Sequence, residues 1–175
     1  AGIAIAKPVP PDNLFKLLNQ IIEERKKLFV DYNGSYDFYI NHGGKQIPSI
    51  IVMINNVEGF LDTYNEYDKY MGLAEIDTLR FVVSNTTEAG IVYDDTDKFE
   101  LEPPKTFPGK LTKFLYHRFE TFKGDMSKGL VMLPVELIDD NGIMLKKCVM
   151  QLIELWGLGD EFKKWVDEAC VFTST

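Results

Sequence analysis

The chain is poor in the residues from which metal and redox centres are built: among 175 residues there are two histidines and two cysteines. Cys148 and Cys170 lie far apart with no C-x-x-C spacing, which argues against a disulfide framework and fits a reducing compartment. The setting of Cys148, amid Met144, Leu145, Val149 and Met150, points to buried packing. His42 falls in a glycine turn and His117 beside Tyr116 and Arg118, neither with an H-x-x-x-H companion, so no metal site is expected. Positive charge is also short. Nineteen Lys and Arg face 27 Asp and Glu, for a net charge of −8, which argues against nucleic acid and anionic membrane surfaces as partners. No apolar run approaches the roughly 20 residues of a membrane span. Residues 1–6 lack the basic start of a signal peptide, so a cytoplasmic location is expected. Both phosphate-binding signatures are missing: no G-x-G-x-x-G follows a strand, and there is no G-x-x-x-x-G-K-[ST]. Gly157-Leu158-Gly159 reads as a helix terminator and Gly43-Gly44-Lys45 as a hairpin tip. With neither an initial methionine nor a terminal breaker, the chain reads as a piece of something longer.

What is present is an alternation of strand and helix patterns. Pro8-Val9-Pro10-Pro11 punctuates the start, and Asp12 is placed to cap a helix bearing Phe15, Leu18, Ile22 and Phe29. The run Ile50–Ile54 predicts a central strand covered on both faces, and Phe81–Val83 a second buried strand. The acidic, proline-containing stretch 94–108 reads as a long loop, a length that is often functional or mobile. Leu111, Phe114, Leu115 and Phe119 recur at helical spacing, and residues 130–135 form a third strand. Asp140-Asn141-Gly142 turns into a helix with Leu145, Val149, Leu152, Ile153 and Trp156, and Asp160 is placed to cap a last one with Phe162 and Trp165. The fold class is α/β, with a largely parallel sheet flanked by helices.

Chemistry concentrates where the second strand ends. Arg80-Phe81-Val82-Val83 runs straight into Ser84, Asn85, Thr86, Thr87 and Glu88, then Gly90. In open α/β sheets ligands bind beyond the carboxyl ends of strands, so polar side chains there are binding candidates. Without further information, Ser84 and Thr86 would be taken as caps of the following turn. This run, together with Tyr93-Asp94-Asp95-Thr96-Asp97-Lys98, Phe107-Pro108-Gly109-Lys110-Leu111-Thr112, Leu133-Pro134-Val135-Glu136-Leu137-Ile138 and Val171-Phe172-Thr173-Ser174-Thr175, closely resembles the tagaturonate reductase branch of the mannitol dehydrogenase family. The resemblance begins near Tyr67. It implies an incomplete Rossmann-like fold and a fragment of an NAD-dependent oxidoreductase of hexuronate metabolism, transferring hydride between a keto sugar acid and its alcohol. It also implies that Ser84, Asn85, Thr86, Thr87 and Glu88 line the cofactor, and that Glu136 faces the substrate. Asn141 fits a turn and helix cap better. The family's reacting lysine, asparagine and histidine act from a helical domain that has no match here, so no catalytic residue is assigned. With the glycine loop missing, weak or absent NAD binding and no activity are expected of this stretch alone.

The first third points elsewhere. The sequence from Asn13 through Asp31-Tyr32-Asn33-Gly34 to Ile50-Ile51-Val52-Met53-Ile54-Asn55-Asn56 resembles an FtsK/SpoIIIE-type ATPase domain of a type VII secretion motor. There the apolar run would be a Walker B strand, but Asn55 and Asn56 stand where acidic residues should hold magnesium, so ATP hydrolysis is not expected. The alternative function is accordingly a nucleotide-binding or scaffolding module of such a motor. Two domains are expected, residues 1–66 and 67–175, as a chimera whose mismatched strand edges favour self-association.

Overall fold

The computed structural model describes the backbone of residues 2–6, 36–42 and 45–51, and residues 61–175 apart from Glu88. Contacts divide the chain into two compact units, residues 10–61 and residues 1–9 with 62–175. Among the described residues of the smaller unit, two strands pair. These are β2 (Tyr36–His42) and β3 (Lys45–Ile51), antiparallel, with His42 opposite Lys45 and Tyr36 opposite Ile51. That register reverses the chain at the predicted hairpin tip, since a two-residue connection suits tightly twisted strands. It also corrects the expectation of a central strand covered on both faces over residues 50–54. Ile50 and Ile51 end a hairpin strand, and residues 52–54 lie outside the described residues, as do the predicted helix after Asp12 and the Asn55-Asn56 pair.

The larger unit holds an all-parallel sheet in the order β1, β4, β5, β6. Its strands are β1 (Gly2–Ala6), β4 (Phe81–Asn85), β5 (Val131–Pro134) and β6 (Val171–Phe172). Residues 2–6, weighed in the sequence only as a leader, pair residue by residue with β4, from Gly2 beside Phe81 to Ala6 beside Asn85. The helices are α1 (Tyr67–Gly72), α2 (Phe107–Thr121), α3 (Asn141–Trp156) and α4 (Asp160–Ala169). The sheet is not equally covered. Val82 and Met132 are buried in the core, whereas Phe81 on the other face is 46% exposed, so β4 alternates instead of being buried on both sides.

Local chemistry sets the helix boundaries. Thr106 caps α2 by accepting from the Gly109 amide at 2.9 Å, and Pro108 occupies the first turn, where its missing N–H costs nothing. Gly157, in the left-handed region at φ 62°, ends α3. Asp160 begins α4 without a capping bond; its carboxylate instead sits in the first turn beside Glu161, where negative charge meets the positive end of the helix dipole. The long loop is pinned at its centre. Buried Asp97 accepts from the Lys105 amide, the Thr106 amide and the Thr106 hydroxyl at 2.7–2.9 Å, while its carbonyl takes the Trp156 indole N–H at 3.0 Å.

Side chains of α2, α3 and α4 fill the core against the sheet: Leu111, Phe114, Leu115, Leu145, Val149, Phe162 and Trp165 are all essentially inaccessible. Phe119, Phe162 and Trp165 form a ring cluster with centroids 5.4–6.2 Å apart, and the Trp165 N–H reaches the Asp125 carbonyl. Cys148 and Cys170 are both free and buried, and desolvation pushes the Cys170 thiol up to about 11, so it packs as a small apolar group. Arg118 is fully buried. The Arg118 guanidinium donates to the carbonyls of Ala74, Ile76, Leu79 and Lys128 at 2.7–3.3 Å, which ties the segments entering β4 and β5 to α2.

Candidate active site at the strand ends

With β4 and β5 anchored at their entry, their carboxyl ends lie side by side, Ser84 in register with Pro134. The parallel ladder carries one bond further, from the Val135 amide to the Ser84 carbonyl at 2.8 Å. Immediately beyond, buried Glu136 turns its carboxylate back over the end of β4. Oε2 accepts from the Ser84 hydroxyl at 3.0 Å, and Oε1 accepts from the Thr86 amide at 3.1 Å and the Thr86 hydroxyl at 2.8 Å. No cation pairs with Glu136 among the described residues; three neutral donors satisfy the carboxylate instead.

Asn141 fixes the other side of this arrangement. Its amide nitrogen donates to the carbonyls of Pro134 and Glu136 at 3.0 and 3.1 Å and lies 3.1 Å from the Thr175 hydroxyl. Its amide oxygen accepts from the Gly142 and Thr175 amides. The predicted cap role is therefore too small: Asp140, at φ 53°, precedes the helix, and Asn141 bonds the backbone of β5 and the chain's last residue. At Gly142 a Cβ would stand 2.2 Å from the Thr173 carbonyl oxygen, so only glycine lets this backbone approach.

Of the residues singled out in the sequence, Ser84, Thr86 and Glu136 come together, Ser84 and Thr86 each donating to the Glu136 carboxylate. Their polar atoms bridge two strands, which is neither the turn cap nor an open side chain. Asn85 and Thr87 flank buried Thr86 and are exposed. Thr87 has φ 73°, a left-handed backbone costly for a β-branched residue, and the Gly90 amide closes a turn onto its carbonyl at 3.0 Å. Gly90 in turn lies against Thr86: a Cβ there would fall 1.8 Å from the Thr86 hydroxyl oxygen. Glu88 lies outside the described residues.

A polar rim at the carboxyl ends of adjacent parallel strands is the place where open α/β folds bind ligands. The mannitol dehydrogenase Rossmann domain matches residues 11–175 of this chain. The chain belongs to the mannitol dehydrogenase family. Altronate oxidoreductase of Bacteroides thetaiotaomicron is 44% identical over 155 residues, covering 86% of this chain and 32% of the relative. The Bacillus subtilis altronate oxidoreductase is 41% identical over 154 residues (87% and 32%), and that of Yersinia enterocolitica 43% identical over 177 residues (100% and 34%). The chain thus spans about a third of the length of these relatives. Two solved structures share the fold over 98% of the chain. D-sorbitol dehydrogenase in substrate-free form has a TM-score of 0.58 at 16% identity, with 35% of it covered. Pseudomonas fluorescens mannitol 2-dehydrogenase in complex with NAD and D-mannitol has 0.55 at 12%, with 40% covered.

The mannitol dehydrogenase match also runs through residues 11–66, and the Yersinia relative aligns with the whole chain. The FtsK/SpoIIIE resemblance, and with it the chimera, finds no support. A short apolar run ending in two amides is too common in α/β proteins to identify a motor strand.

Proposed function

We propose that this chain is the Rossmann part of an NAD-dependent oxidoreductase that interconverts a hexuronate keto sugar and its alcohol in the cytoplasm. The observation that carries this reading is the 44% identity over 155 residues with an altronate oxidoreductase. The strand-end geometry supports it. The exposed amide of Asn85 and hydroxyl of Thr87, with the backbone around buried Thr86, offer donors and acceptors suited to ribose and phosphate oxygens. Glu88, next in the sequence, is assigned to cofactor binding with them, orienting a water or a ribose hydroxyl. The sugar acid lies on the Glu136 side. NAD, when bound, supplies the hydride acceptor; the residues of this chain bind and orient it. The pyrophosphate requires a glycine loop that this sequence lacks, so these strand ends form one wall of the cofactor site and not the whole of it.

The test is turnover by the native protein that contains this chain. NADH consumption is expected with tagaturonate and not with the neutral ketohexose fructose. Equal or faster turnover of fructose would move the substrate assignment away from sugar acids. Absence of any NADH-linked turnover with either would overturn the reading.

A further inference from the structure

We propose that Glu136 is a positioning residue for the cofactor-binding turn and does not itself contact the sugar; the inference rests on the oxidoreductase reading above. Glu136 is 3% exposed as a residue, and both carboxylate oxygens are engaged by Ser84 and Thr86. A substrate hydroxyl would have to displace bonds of 2.8–3.1 Å that already satisfy a buried charge. What Glu136 controls is the shape of the chain just past β4. It holds residue 86 by amide and hydroxyl together, and the next residue, Thr87, keeps a left-handed backbone that a threonine adopts only under constraint from its surroundings. Gly90 closes tightly over the Thr86 hydroxyl, so the turn from 86 to 90 is built upon the side chain that Glu136 grips. Glu136 is itself fixed from behind, because Asn141 donates to its backbone carbonyl. The chain of contacts from α3 through Asn141, Glu136 and Thr86 thus presents Asn85 and Thr87 outward in one arrangement.

Steady-state kinetics and NADH calorimetry on the native protein and its variants separate the possibilities. Glu136→Ala is expected to raise both the Kd and the KM for NADH about tenfold, the equivalent of one lost buried hydrogen bond, with the sugar KM unchanged. Glu136→Gln, whose amide oxygen still accepts from Thr86, should return NADH affinity to within about threefold of wild type. If Glu136→Ala does not fold, Ser84→Ala carries the test, with an expected rise in NADH Kd of about threefold, below the loss of a whole buried bond. A raised sugar KM with unchanged NADH affinity would make Glu136 a substrate contact and overturn the proposal. A lowered melting temperature with unaltered kinetics would reduce it to scaffolding and overturn it equally. Wild-type protein that binds no NADH would remove the oxidoreductase reading and this inference together, whereas wild-type binding matched by Glu136→Ala removes the inference alone.

Discussion

Replacing Arg118 by alanine is expected to lower the unfolding free energy by about 3–5 kcal/mol, the range for breaking a buried charged network. The guanidinium is fully buried and satisfies four carbonyls, those of Ala74, Ile76, Leu79 and Lys128. Alanine removes every donor at once and opens a cavity, and each carbonyl left dry adds to the loss. Lysine should rescue little. A single ammonium cannot reproduce the planar fork that reaches four carbonyls, so a loss of about 1–3 kcal/mol, that of a carbonyl left dry, remains. Urea denaturation of both variants checks this. Because the four carbonyls lie at the entry to β4 and β5, the damage should extend to the strand ends, and a neutral outcome for Arg118→Ala would mean that other contacts set the strand positions.

Asn141→Asp is expected to destabilise the protein by about 3 kcal/mol near neutral pH, although the two side chains have the same shape. The amide of Asn141 donates to the Pro134 and Glu136 carbonyls, and a carboxylate has no proton to offer either. Facing two carbonyl oxygens in a buried site, the introduced carboxyl has its folded-state pKa raised above the ordinary value of about 3.9. The sign follows from linkage. The protonated form keeps one donor, so the variant is closest to wild type below the unfolded pKa, and it loses stability as pH rises from there through the folded pKa. Melting temperatures of both proteins across that range should diverge with rising pH; a gap independent of pH would show that this carboxyl is not held among acceptors.

Much of the fold is legible in the sequence because helix faces and turn residues act locally. Leu111, Phe114, Leu115 and Phe119 mark α2, and the Asp140-Asn141-Gly142 turn opens α3, where the structure has them. The elements that escape are those specified by distant partners. Gly2–Ala6 has little pattern of its own and becomes a strand by pairing with β4, far along the chain. Val171–Phe172 is too short to signal anything and is defined by the β5 edge. Residues 45–51 carry a continuous apolar end that reads equally as a buried parallel strand or a hairpin arm, and only the register decides.

The site shows the same division. Polar residues at a strand end are visible in sequence and mark Ser84 and Thr86, whereas Glu136 is marked by the family resemblance. That Ser84 and Thr86 both bond to Glu136 is not visible, since the partners are about 50 residues apart in the chain. Arg118 is missed altogether. An arginine on a predicted amphipathic helix reads as a solvated charge, and the signal that it is interior lies in four carbonyls contributed by turns that no side-chain pattern encodes.

Under the proposed function, the turn beyond β4 forms one wall of the NAD site. Hydrogen exchange at the amides of Asn85, Thr86 and Thr87 in the native protein, with and without saturating NADH, tests it most directly. Bound NADH is predicted to slow exchange at Asn85 and Thr87, which are exposed, and to change Thr86 little, because its amide already donates to Glu136. NADH binding that leaves all three amides exchanging as before, while protecting amides elsewhere, would contradict it.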